Sequence, residues 1–238
     1  MQDQHDGSTL RDFFENKEHR LIHKWLGYFE VYERHFARFR NKPITLMEFG
    51  VLHGGSLQMW KWYFGEQAQI HGVDINPRCA ELAEDRVTIH IADQEDRNSL
   101  RKLTQTIPQC DIIIDDGGHT MLQQKHTFEE LWGHLKEGGV YLCEDLSTSY
   151  WKEFGGGYRN PDSFIEYTKN FIDSLNAWWS HEDHYNPDPL TLSAFSVHFY
   201  GGIVVLEKRA MTVPEARMRG TPSFPLTAGE QKSYDRGR

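Results

Sequence analysis

Short apolar runs alternate with amphipathic stretches along the chain, and that alternation predicts its elements. Over residues 10–39 the apolar side chains Phe13, Phe14, Leu21, Ile22, Trp25, Leu26, Phe29, Tyr32 and Phe36 recur at spacings of three and four. Arg20, Lys24, Glu30, Glu33 and Arg34 lie between them. This periodicity predicts one amphipathic helix or two, with a solvated charged face. Asn41-Lys42-Pro43 ends it, because proline cannot continue a helix. Strand-length apolar runs follow at 44–49, 69–75, 87–92, 110–114 and 140–143. Helices are predicted between them: from a Ser56 cap through Phe64, then over 78–85, 99–107 and 120–135. Strands alternating with helices predict an α/β fold built on a parallel sheet.

Past Glu144 the pattern loosens. Residues 147–161 are rich in glycine and aromatics and predict a shaped loop. A helix is expected over 162–179 and a polar loop over 181–190. Two strands, 194–200 and 203–208, meet at Gly201-Gly202 as a hairpin. The chain therefore divides into a helical N-terminal arm or lid (1–40), a main domain (41–210) and a flexible tail (211–238).

Composition narrows the classes. The 238 residues suit one large domain with its own core. Acids outnumber bases 35 to 26, for a net charge of -9, which argues against a general nucleic-acid backbone binder. No apolar stretch approaches the ~18 residues of a membrane span. The N-terminus lacks a basic start followed by an apolar run, so no signal peptide is expected. Cys79, Cys110 and Cys143 show no CxxC spacing and are expected as reduced thiols in a cytoplasmic protein, not as a disulfide frame or zinc site. Seven Trp and ten Tyr exceed what a core needs and point to pocket walls and subunit contacts.

Candidate chemistry collects at the predicted strand ends. Glu48-Phe49-Gly50-Val51-Leu52-His53-Gly54-Gly55-Ser56 follows the first strand, where glycines permit a sharp turn and close approach to a ligand. It is neither the dinucleotide GxGxxG pattern nor a P-loop. Asp74, Asp93 and Asp115-Asp116 stand at the ends of later strands, where open parallel sheets bind ligands. Asp74 can accept two ribose hydroxyls, and Asp93 with Gln94 can bind an adenine amino group. Asp116 and Glu144-Asp145 end neighbouring strands, about 4.8 Å apart, so three carboxylates can converge. Such carboxylates repel one another unless a cation or protons compensate, and oxygen ligands with spare positions suit Mg²⁺ or Mn²⁺. His119, three residues past Asp116, titrates near neutrality and suits a general base. Tyr150 and Trp151, directly after the acids, are candidates for a substrate wall.

These residues carry a resemblance. Glu48-x-Gly50-x3-Gly54-x-Ser56, Gly72-Val73-Asp74, Asp115-Asp116-Gly117-Gly118-His119, Glu144-Asp145, Tyr150-Trp151 and the closing strand 198–208 resemble class I S-adenosylmethionine-dependent methyltransferases. Within that class the sequence is similar to the Mg-dependent sugar O-methyltransferases of macrolide biosynthesis and their cephalosporin-hydroxylase-like relatives. The resemblance runs over roughly 44–208. It implies a Rossmann-like, doubly wound, mostly parallel sheet with an antiparallel last strand. It further implies S-adenosylmethionine bound by Glu48, Gly50, Gly54, Ser56, Asp74, Asp93, Gln94 and Asp116, a Mg²⁺ held by Asp116, Glu144 and Asp145, and His119 as base. The acceptor would be a sugar hydroxyl on a small glycoside or saccharide, and the enzyme a homo-oligomer. Two alternatives stand beside this: a hydroxylase-like metal enzyme, and a non-catalytic S-adenosylmethionine-binding protein. The all-carboxylate cluster weighs against the former, since non-haem iron oxygenases use two histidines and one carboxylate.

Overall fold

The computed structural model describes residues 8–236. Seven strands form one sheet: β1 (Thr45–Phe49), β2 (Gln69–Asp74), β3 (Val87–Ile91), β4 (Cys110–Asp115), β5 (Leu135–Cys143), β6 (Ala194–Tyr200) and β7 (Ile203–Lys208). Their order is β3-β2-β1-β4-β5-β7-β6. The first five are parallel, and β7 and β6 add antiparallel to β5 and to each other. The order reverses between β1 and β4, which places a ligand crevice at their carboxyl ends.

Helices cover both faces, so the central strands are apolar on both sides. Ile112 and Ile114 point into one core layer and Ile113 into the other, as the twofold period of a strand requires. α2 (Tyr28–Phe36) and α3 (Gly55–Phe64) pack on the first face. α4 (Arg97–Thr106), α5 (Met121–Leu131) and α6 (Phe164–Asn176) pack on the second. Cys79, Cys110 and Cys143 are buried free thiols. Among the described residues, no helix is long and apolar enough to cross a membrane.

Six strands fall where the apolar runs predict them; β5 starts early, at Leu135, inside the stretch expected as helix, the helix expected over 78–85 is only a 3₁₀ segment at Pro77–Leu82, and two further expectations need correction. The periodic stretch 10–39 is not continuous helix. α1 (Leu10–Asn16), closed at its start by a Thr9–Asp12 capping box, and α2 are separated by an extended strap, residues 17–27. Within the strap Ile22 and Lys24 are buried while Leu21, His23 and Trp25 are exposed, an alternation of two inside an apparent spacing of three and four. A Cβ on Gly55 would lie 2.2 Å from the Arg20 carbonyl oxygen, so the strap passes directly over the start of α3. Secondly, Ser56 does not cap α3. Gly54, with φ of +77°, is the N-cap, and the Ser56 hydroxyl turns inward to Glu48. A short helix, α7 (Ala228–Arg236), lies in the stretch assigned to the tail.

Candidate active site

β1 and β4 run in register from Leu46↔Ile112 to Phe49↔Asp115, and a cavity of about 300 Å³ opens at their carboxyl ends. Gly50 sits at the crossing, with φ of +88°; a Cβ there would lie 1.9 Å from the Asp116 carbonyl oxygen. Only glycine permits that approach.

Of the residues expected to hold a cofactor, Gly50, Asp74, Asp93, Gln94 and Asp116 line the cavity. Asp74 accepts from the amides of Val51 (2.9 Å) and Leu52 (3.2 Å) at one oxygen and of Asn76 (2.8 Å) at the other. Its carboxylate is thus anchored yet keeps lone pairs for further donors. Asp93 accepts from the Glu95 amide. The Gln94 side chain has turned inward: Nε2 donates to Asp115 (2.7 Å) and Thr127 (3.0 Å), and Oε1 accepts from the Gly118 amide (2.9 Å). It holds the Asp115–Gly118 turn in place. Glu48, Gly54 and Ser56 lie outside the cavity wall. Glu48 is fully buried, accepts from Ser56 Oγ (2.7 Å) and Trp60 Nε1 (3.0 Å), and ties β1 to α3.

The carboxylates do converge, but around a lysine. Lys24 Nζ lies 2.5 Å from Asp116 Oδ2, 3.1 and 3.0 Å from Glu144 Oε1 and Oε2, and 3.6 Å from Glu48 Oε1, with a side chain only 2% exposed. Burial opposes a charged lysine, but Asp116, Glu144, Tyr32 and Glu48 raise its pKa well above the usual value, so it stays an ammonium. Burial, reinforced by Asp116, raises the pKa of Glu144, with Lys24 acting against both. Tyr32 Oη donates to Glu144 Oε1 at 2.6 Å.

Asp145 faces the other way. Its Oδ1 accepts from Tyr28 Oη (2.8 Å) and Trp25 Nε1 (3.1 Å), and its Oδ2 lies 3.6 Å from His119 Nε2. Asp116 stands between the two groups, with Oδ2 on Lys24 and Oδ1 3.9 Å from His119 Nε2. One ligating atom from each of Asp116, His119 and Asp145 falls within 4.8 Å of the other two. His119 (φ +58°) and Asp145 (φ +54°) both adopt left-handed backbone, an uncommon state for non-glycine residues that clusters at functional sites. Thr148 Oγ1 lies 2.9 Å from the carbonyl oxygens of both and fixes them together. His119 Nδ1 is buried without a hydrogen-bond partner. A buried polar atom left open in this way marks a place for a ligand or water.

A second groove, of about 590 Å³, adjoins the cavity and shares Trp25 and Tyr28 with it. Trp151, Ser147 and Tyr200 line it. Tyr150 is half exposed and lies outside it.

Residues 47–146 match the family described as a methyltransferase domain. Together with the sheet order and the antiparallel closing strands, that match decides the matter. The chain carries a class I methyltransferase domain. It is 38% identical over 192 residues to the 8-demethyl-8-alpha-L-rhamnosyl tetracenomycin-C 2'-O-methyltransferase of Streptomyces olivaceus, covering 77% of this chain and 50% of the relative. It is 32% identical over 215 residues to the demethylmacrocin O-methyltransferase of Streptomyces fradiae, covering 84% and 54%. The MycE methyltransferase of the mycinamycin biosynthetic pathway, solved in complex with Mg, SAH and mycinamycin VI, superposes with a TM-score of 0.73 at 29% identity, over 79% of this chain and 50% of that one. The chain spans about half the length of the curated relatives it matches.

Sequence reasoning missed part of the methyltransferase domain's site. Lys24, Tyr32 and Thr148 carried no local signal. Lys24 in particular occupies a position that reads as the charged face of a helix.

Proposed function

We propose that this domain transfers the methyl group of S-adenosylmethionine to a hydroxyl of a sugar on a small glycosylated acceptor. The observation that carries this is the position of His119 Nε2 within 4 Å of Asp116 Oδ1 and Asp145 Oδ2 in the cavity wall, with Asp145 held by Trp25 and Tyr28, which the cavity shares with the apolar groove. The names of the relatives support the sugar O-methyltransferase assignment, and a Mg- and SAH-bound neighbour of the same fold supports the cofactor and the ion.

In this reading the nucleoside lies over Gly50, with Asp74 on the ribose hydroxyls and Asp93 at the adenine. The residues present fit a divalent ion: Asp116, Asp145 and His119 each bring one ligating atom within 4.8 Å of the other two, and the carboxylates supply the oxygen ligands such an ion prefers. Asp116 and Asp145 would hold Mg²⁺, with Glu144 reaching it only where Lys24 gives way. A bound ion lowers the pKa of a coordinated acceptor hydroxyl and orients it. His119 takes the hydroxyl proton at Nε2 as the oxygen attacks the methyl carbon. The C–S bond breaks, the sulfonium charge is lost, and S-adenosylhomocysteine leaves. A positioned base of this kind contributes about 10²–10⁴-fold. The apolar groove, with Trp151 and Trp25, accommodates the non-sugar part of the acceptor, as aromatic faces stack on flat or apolar surfaces. Tyr150, beside it, reaches the acceptor from the rim.

The test is turnover. Purified protein is incubated with S-adenosylmethionine and a panel of rhamnosylated and deoxyhexosylated polyketides, with Mg²⁺ or with EDTA, and the products are weighed by mass spectrometry. A Mg²⁺-dependent gain of one methylene on the sugar is expected. An added oxygen instead, or no product from any acceptor despite cofactor binding, would overturn the assignment.

A further inference from the structure

His35, His198 and Glu207 meet outside the lining of the cavity. His35 is on the inner face of α2, His198 on β6 and Glu207 on β7. Ser196 pairs with Glu207 and His198 with Val205, so His198 and Glu207 are diagonal neighbours across the hairpin. His35 Nδ1 lies 3.4 Å from Glu207 Oε1, and the two imidazoles sit 4.8 Å apart at 63°. One ligating atom from each of the three residues falls within 4.8 Å of the other two.

The remaining polar atoms of the cluster are taken from outside. Tyr200 Oη lies 2.9 Å from His35 Nε2, Ser196 Oγ 3.0 Å from His198 Nε2, and Arg38 donates to Glu207 Oε2 at 3.1 Å. This is the outer shell expected around metal ligands, where the second nitrogen or oxygen of each ligand is oriented by a neighbour. Two ligands about 2.0–2.1 Å from a tetrahedral zinc lie roughly 3.4 Å apart, which the His35–Glu207 separation matches.

We propose that His35, His198 and Glu207 form a second metal site, for a borderline transition-metal dication of the zinc type, that pins α2 to the β6–β7 hairpin. Two imidazoles and one carboxylate favour such an ion over Mg²⁺. The consequence reaches the active site, because α2 also carries Tyr28 and Tyr32, which hold Asp145 and Glu144. The inference does not depend on the proposed reaction.

The test uses the full chain, stripped with EDTA and then titrated with CoCl₂ or ZnCl₂ in excess Mg²⁺. The His119 cluster is a competing site, so His119→Asn serves as the control. Wild type and His119→Asn should each take up one equivalent of Co²⁺, with the visible absorption of a tetrahedral nitrogen–oxygen site. His198→Ala and Glu207→Gln should lose that absorption and bind at least about 100-fold more weakly, while keeping the wild-type circular dichroism. His198 lies on the edge strand, so its variant remains informative where His35→Ala fails to fold. No tight uptake by wild type, or uptake lost in His119→Asn and kept in His198→Ala, would overturn the proposal.

Discussion

The ammonium of Lys24 lies 3.1 and 3.0 Å from the two oxygens of Glu144, a residue 120 positions later in the chain. This pair closes the N-terminal strap over the carboxylate cluster. Buried charges are costly unless paired, and here one cation faces three acids. Lys24→Met would leave them uncompensated, and a loss of about 3–5 kcal/mol of stability is expected. The loss should be greater at pH 8 than at pH 5.5. Glu48 and Glu144 already have raised pKa values, and without Lys24 they rise further, so the folded variant binds protons that the unfolded chain releases. Denaturant titration at both pH values checks this; equal losses would contradict it.

His119 has left-handed backbone, so its replacement must tolerate φ of +58°. Asparagine does so better than alanine. His119→Asn should reduce kcat by about 10²–10⁴-fold and leave S-adenosylmethionine affinity within a few-fold of wild type. Single-turnover kinetics beside calorimetry separates the two, and weakened cofactor binding at unchanged kcat would assign His119 to binding instead.

Two glycines with positive φ should behave differently. Gly50→Ala places a methyl 1.9 Å from the Asp116 carbonyl oxygen. Since this forces β1 and β4 apart, more than about 4 kcal/mol should be lost, along with cofactor binding. Gly138 has a similar φ, +78°, with open space around its missing Cβ. Gly138→Ala should cost only the backbone strain, about 1–2 kcal/mol. Thermal unfolding of both variants compares contact with strain, and similar losses would show that contact at Gly50 is not decisive.

Acid should weaken the fold through its histidines. Burial, and then His90, pull the pKa of His71 down to about 4. The unfolded imidazole takes its proton near 6.5, so the unfolded state binds more protons between these values. Stability is therefore fully present above pH 6.5 and lost as the pH falls toward 4. Allowing for the partial exposure of His71, about 1–2 kcal/mol rests on it. His71→Gln should flatten this part of the stability–pH curve, and an unchanged slope would locate the effect elsewhere.

The sheet was legible because each of the first six strands is an apolar run ended by an acid or a glycine. The β6–β7 hairpin was legible from Gly201-Gly202 for the same reason. The site was legible as a set of acids but not in its arrangement. Glu144 and Asp145 are adjacent in sequence, yet they face Lys24 and His119 respectively, because Asp145 takes a left-handed turn. Lys24 was hidden because the strap keeps helical spacing while its backbone runs extended. The exchange of Gln94 from adenine contact to turn support was equally hidden, since its partners Asp115, Gly118 and Thr127 meet it only in the fold. His35, His198 and Glu207 come from three elements and share no local motif.

The most direct measurement is calorimetric titration of S-adenosylmethionine into the purified protein, with Mg²⁺ present and again with EDTA. One site per chain with micromolar-range affinity is predicted under both conditions, since Asp74, Asp93 and Gly50 bind the nucleoside while the ion serves the acceptor. No heat under either condition would contradict the assignment of the β1–β4 cavity as a methyl-donor site, and with it the proposed reaction.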